Sequence, residues 1–102
     1  MVRIPKHGPP VGPGEIILEE FLKPLGMTQS ELAERIGVDF NRVNGIINGR
    51  RALTADTALR LTAVFGPSPG FWLNAQQAVD LYRAQKSKGG AIAKIERVKA
   101  NA

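Results

Sequence analysis

Apolar residues recur at intervals of three and four through most of the chain, and each periodic block is preceded by a helix-starting residue and followed by a helix-stopping one. The sharpest block opens at Thr28. Glu31, three positions on, completes a capping box with it, so a helix is predicted to begin at Gln29, with Met27 placed as a hydrophobic staple toward Leu32. Leu32, Ala33 and Ile36 form its inward stripe, and Gly37 ends it in the left-handed conformation. The pattern then restarts: Asp39 caps, Val38 can staple to Val43, and Val43, Ile46 and Ile47 face inward until Asn48-Gly49 closes the helix. Asn-Gly is also a hairpin signal, but the flanking apolar residues here repeat with helical period and do not alternate, which excludes strands. Two short capped helices around a glycine turn, over residues 28–48, have the layout of a helix-turn-helix.

Three further blocks complete an all-α pattern of five helices. Pro13 suits a first helical turn, and Ile16, Ile17, Phe21, Leu22 and Leu25 follow at helical spacing; Pro24 is expected to end this helix near Lys23. Thr54 caps a helix carrying Ala55, Ala58, Leu59, Leu61, Thr62 and Phe65, stopped by Gly66-Pro67. Ser68-Pro69 starts the last one, through Phe71, Trp72, Leu73, Ala75, Ala78, Val79, Leu81 and Tyr82. Its apolar residues span more than one face. One stripe closes the core, and Phe71, Trp72, Val79 and Tyr82 are assigned to contact with a second subunit. Residues 13–84 thus form one domain, preceded by an extended arm at 1–12 and followed by a tail at 85–102 that is either part helical or disordered.

Composition narrows the function classes. The 102 residues contain no cysteine, which fits a reducing compartment and excludes a disulfide scaffold or a cysteine-ligated zinc site. No apolar run approaches the roughly 18 residues of a membrane span, and the N-terminus lacks the apolar core of a signal peptide, so a cytoplasmic location is expected. The formal charge of +5 resides in the tail: residues 1–82 carry equal numbers of basic and acidic side chains, whereas Arg83, Lys86, Lys88, Lys94, Arg97 and Lys99 face only Glu96. The tail reads equally as a solvating terminus or as an auxiliary phosphate contact. Evidence for nucleic-acid binding comes instead from the local cluster Arg35, Arg42, Arg50 and Arg51.

The candidate chemistry lies on the second helix of the motif. Phe40, Asn41, Arg42 and Asn44 occupy its first turn and a half, the part that meets base edges in the major groove when such a motif docks on DNA. Asn bonds an adenine edge bidentately, Arg a guanine edge, and Phe contacts a thymine methyl. Gln29, Arg50 and Arg51 flank this surface as candidate phosphate contacts. Taken singly, each is also an ordinary solvated or packed helix residue; joint placement carries the reading. Glu15, Glu19 and Glu20 fall on the water side, with Glu19 four before Lys23, and the single histidine, His7, sits in the arm without a second ligand type. No metal, cofactor or catalytic group is expected, and an enzyme, such as a nuclease gripping substrate with the basic tail, is disfavoured.

Specific strings extend the argument. Pro13-Gly14-Glu15-Ile16, Glu19-Glu20-Phe21-Leu22-Lys23-Pro24-Leu25-Gly26, Thr28-Gln29, Leu32-Ala33, Asn48-Gly49-Arg50-Arg51, the run Thr54 to Leu61, and Ser68-Pro69 with Phe71-Trp72-Leu73-Asn74 resemble the Xre/phage-repressor class, and within it the HigA-type antitoxins, also called virulence-associated protein I-like. The resemblance covers residues 12–82 and implies a lambda-repressor-like fold. It further implies a homodimer that binds double-stranded operator DNA, represses its own operon and neutralises a small basic HigB-type mRNA-cleaving toxin. By motif position it puts the phosphate contact on Gln29 and base reading on Phe40, Asn41, Asn44 and Gly45. Gly45 has no side chain with which to read, and Phe40 replaces a position that is often polar. A free-standing Xre-type regulator without a toxin, or a pure protein-binding module, remains an alternative.

Overall fold

The computed structural model describes residues 8–99. The arm residues Arg3, Lys6 and His7 lie outside them. The described residues form five helices and no strand. The first, α1, is continuous over 13–25 but changes pitch: α-helical Pro13–Ile16, π-helical Ile17–Leu22, then α-helical Lys23–Leu25. The others are α2 (Gln29–Ile36), α3 (Phe40–Ile47), α4 (Ala55–Phe65) and α5 (Pro69–Ile92).

The starts of α2 to α5 follow from local hydrogen bonding. Thr28, Asp39, Thr54 and Ser68 are extended at the N-cap, and each side chain accepts the amide of the third helical residue, satisfying a donor that has no partner inside the helix. At Thr28 the box is reciprocal: Glu31 N donates to Thr28 Oγ1 at 3.0 Å and Thr28 N to Glu31 Oε1 at 2.9 Å. Gly26 and Gly37 close α1 and α2 with φ of 63° and 73°, which a Cβ would disfavour.

Two helix ends differ from the periodicity. α1 does not stop at Lys23; it passes through Pro24 to Leu25. Proline lacks an amide hydrogen and its ring collides with the carbonyl four residues earlier in an α-helix. Here the preceding turn is widened, so that Lys23 N bonds to Leu18 O five residues back, and the ring is accommodated. α5 likewise continues beyond Tyr82 to Ile92, carrying half of the basic segment into solvent.

Ile16, Leu32, Leu61 and Trp72 anchor the core, joined by Ile17, Leu22, Ala33, Ile36, Val43, Ile46, Leu53, Ala58 and Ala75. Phe21 stacks on Phe65 at 4.5 Å between ring centroids, and Phe71 meets Trp72 edge-on at 5.0 Å. Trp72 is 0% exposed within a single chain, so its assignment to a subunit interface is corrected. Its ring is the centre of the core that one face of α5 closes. Leu25 and Leu59, named among the apolar residues of their helices, are 60% and 61% exposed, because the stripe that the neighbouring helices cover is narrower than the apolar stripe of the sequence.

Gly14 sets the closest approach in the fold. A Cβ there would collide with Ile46 O and lie 2.7 Å from Ile47 Cα, so α1 rests directly on the backbone at the end of α3. Both obstacles are main-chain atoms, which cannot rotate away. Gly14→Ala is therefore expected to destabilise the fold by about 1 to 3 kcal/mol. Thermal unfolding followed by circular dichroism checks this: a fall of roughly 4 to 8 °C per kcal/mol is expected for a domain of this size.

Candidate nucleic-acid interface

The motif helices α2 and α3 are linked by Gly37, Val38 and Asp39, with Gly37 N bonded to Glu34 O and Val38 N to Ala33 O. Asp39 Oδ1 then accepts Arg42 N at 2.8 Å and starts α3. Val43 and Ile46 are buried beneath α3, while Met27 and Val38, the two staple residues, pack partly buried against the core. This turns the remaining face of α3 outward. Phe40 is 46% exposed and Asn41 is exposed beside it at the helix start.

The other two expected base-reading residues have partners within the protein. Asn44 is half-buried and committed at both ends of its amide: Nδ2 donates to Gln29 Oε1 at 3.0 Å, and Oδ1 accepts Arg50 Nη2 at 2.9 Å. One side chain of α3 thereby holds two candidate phosphate contacts, one from the start of α2 and one from the loop after α3. Bonded this way, Gln29 keeps its amide hydrogens free of this contact and aimable at an anion. Arg42 is likewise held within the protein, by Asp56 Oδ2 at 2.9 Å. Asp56 also accepts Arg60 Nε at 3.0 Å, and Arg60 Nη1 donates to Ile36 O at 2.7 Å at the end of α2. The chain Ile36–Arg60–Asp56–Arg42 ties α2, α3 and α4 together through polar contacts. Sequence reasoning missed it because the partners are far apart in the chain, although Asp56 and Arg60 stand at a helical ion-pair spacing.

Gly45 faces neither solvent nor a groove. It is buried, and a Cβ there would lie 3.1 Å from Arg51 Cβ. The amides of Arg50 and Arg51 both bond to Gly45 O, at 2.9 and 3.1 Å. The glycine lets the loop after α3 fold back, with the Arg51 side chain over Gly45 and Arg50 reaching Asn44.

The surface expected to meet a second subunit divides. Phe71 packs partly buried on Trp72, whereas Val79 and Tyr82 line an open groove of about 280 Å³ with Pro9, Pro10, Ile46 and Ile47. Among the described residues no group of histidine, cysteine, aspartate or glutamate could hold a metal, and no helix is long and apolar enough to cross a membrane.

Capped helices α2 and α3, with the start of α3 exposed and Arg50 and Arg51 after its end, are a geometry whose family comparison with known proteins supplies. Residues 18–73 match the Helix-turn-helix family. Antitoxin HigA-1 of Vibrio cholerae is 51% identical over 73 residues, covering 72% of this chain and 69% of the relative. The chain belongs to the HigA antitoxin branch of the helix-turn-helix family. Among solved structures, the Pseudomonas aeruginosa antitoxin HigA with the higBA promoter superposes with a TM-score of 0.82 at 34% identity, covering 87% of this chain and 98% of that one. Antitoxin GraA in complex with its operator gives 0.83 at 38% identity, covering 96% and 100%. The described residues are therefore helical in the same arrangement as solved antitoxins, two of them described with DNA.

Two carboxyls within the motif's bracing titrate below their ordinary values. The Thr28 amide, then its hydroxyl, hold Glu31 below 4.5, and Arg60, then Arg42, hold Asp56 below 3.8. A depressed folded value means the associated stability is fully present above the unfolded value and is lost as pH falls through the lower folded one. These two groups should leave the melting temperature unchanged from pH 7 to about 5 and reduce it only below about 4. Glu31→Gln should flatten that acid limb, and Asp56→Asn, whose ion pairs are exposed, should flatten it less, as read from melting temperature against pH.

Proposed function

We propose that this HigA-type chain is a non-enzymatic, cytoplasmic transcriptional repressor, dimeric on its operator, that also neutralises a small HigB-type toxin. The reading is carried by one observation: an exposed α3 start, Phe40 and Asn41, flanked by Gln29 and Arg50 that Asn44 holds in one hydrogen-bonded row. The operator and promoter complexes of the related antitoxins support it. Asn41 reads a base edge, Phe40 packs on a thymine methyl, and Gln29, Arg50 and Arg51 bind backbone phosphates. Asn44 and Arg42 act as positioning residues, since both are engaged within the protein. In a two-fold dimer the recognition helices would sit about 34 Å apart, one helical turn of a palindrome. The groove-lining Val79 and Tyr82, with half-buried Phe71, are the side chains offered to the second subunit.

These roles separate in one experiment. Asn41→Ala should relax preference at a single operator position, at a cost of about 1 to 3 kcal/mol. Asn44→Ala should weaken every operator variant by a similar factor, because it loosens Gln29 and Arg50 together. Fluorescence anisotropy against the chain's own promoter and a set of singly substituted duplexes measures both, and uniform binding across all duplexes by the unmodified protein would contradict sequence-specific repression. Co-expression with the product of the adjacent reading frame should recover a complex; its absence, with operator binding intact, favours a free-standing regulator.

A further inference from the structure

α5 leaves the body of the protein at Tyr82, and residues 83–92 have no buried side chain. Its exposed half holds Gly89 and Gly90, the least favourable helix residues after proline, and no acidic residue occurs between Asp80 and Glu96. A helix with so little packing draws its purpose from what it presents, and it presents charge. The charge is also placed. A Cβ on Gly49 would lie 3.7 Å from Arg83 Nη2, so the first basic residue of the segment abuts the turn that ends α3 and precedes Arg50. Arg83, Arg51 and Gly49 line the same small cavity. Lys86 follows one turn on, with its ammonium 5.6 Å from the Tyr82 ring centroid, on the face that Arg83 occupies.

We propose that the distal half of α5 is a second DNA-backbone contact, in which Arg83 and Lys86 extend the phosphate track begun by Arg50 and Arg51. Charge complementarity selects the occupant: the segment itself carries cations at successive turns and no carboxylate between Asp80 and Glu96, while Glu15 of α1 borders the groove in which Arg83 adjoins Val79 and Tyr82, and the net positive charge suits a regularly spaced polyanion. It rests on the proposed function only for the identity of the duplex. Arg83 and Lys86 contribute affinity without sequence preference, since their chemistry addresses phosphate.

The test is a salt titration on a random-sequence 30-base-pair duplex and on the promoter duplex, with Arg83→Gln/Lys86→Gln, the charge-keeping Arg83→Lys/Lys86→Arg, and Lys23→Gln as a control on the body. Removing one cation–phosphate pair should reduce the slope of log affinity against log salt by about 0.9. The double glutamine variant is therefore expected to show a slope smaller by about 2 per protomer on both duplexes, the charge-keeping variant to match the parent, and the control to change nothing. Helicity by circular dichroism verifies folding. An unaltered slope overturns the proposal, as does an equal reduction in the charge-keeping variant or in Lys23→Gln. A slope that stays while light scattering shows a changed oligomeric state assigns the face to a second copy and overturns it as well. Loss of promoter preference in the unmodified protein, with the random-sequence slopes as expected, would count against the repressor reading alone.

Discussion

The angle between α2 and α3 is the constraint on which the surface depends, and three residues hold it. Gly37 turns the chain with a positive φ, Val38 packs partly buried against the core, and Asp39 starts the next helix by accepting the Arg42 amide. If that angle opened, Val43 and Ile46 would leave the core while Phe40 and Asn41 would no longer share a face with Gln29. Core and recognition surface are opposite sides of the same two short helices, and neither helix is long enough to be stable alone. The outer geometry is thus inherited from apolar packing beneath it. Gly14 completes the arrangement from the other side by letting α1 touch the backbone at the end of α3.

Polar contacts add direction to this packing. Exposed ion pairs such as those of Asp56 contribute little to stability, so their physical consequence is orientation. Asp56 joins the guanidinium groups of α3 and α4, and Arg60 carries the connection to the last carbonyls of α2. Asn44 does the same for the residues around the exposed face. Side chains that look like readers by position are therefore divided between those left free and those spent on holding others, a division that resides in tertiary contacts.

That division also marks what was legible in the sequence. Caps are local, and Thr28, Asp39, Thr54 and Ser68 were readable because donor and acceptor lie three residues apart. The five-helix order followed from the same punctuation. Contacts between distant residues were not readable: Asn44 with Gln29, Arg42 with Asp56 and Arg60 with Ile36 join different helices. Trp72 shows the limit of periodicity, because an apolar position on a broad stripe does not reveal which neighbour covers it, and the structure puts it in the centre. The pitch change before Pro24 was hidden for a related reason. Proline forbids a continued α-helix but not a widened turn, and the widened turn here buries Ile17 and Leu22.

Charge is partitioned along the same lines. The acidic and basic side chains of residues 1–82 balance, and Lys23, Arg42 and Arg60 are each within ion-pair distance of a carboxylate. The helical body, residues 13–82, is by itself slightly acidic, so approach to a polyanion depends on local groups and on the cationic end of α5. Fields beyond about 10 Å are screened at ordinary salt, so the cations of α5, like those of the body, act only on a surface close to them. Positioned hydrogen bonders on α3 and clustered cations on α5 then answer different physical demands: the first need a rigid core under them, and the second need only an exposed helix that holds them on one face. A single chain meets both by letting one helix run past the domain it closes.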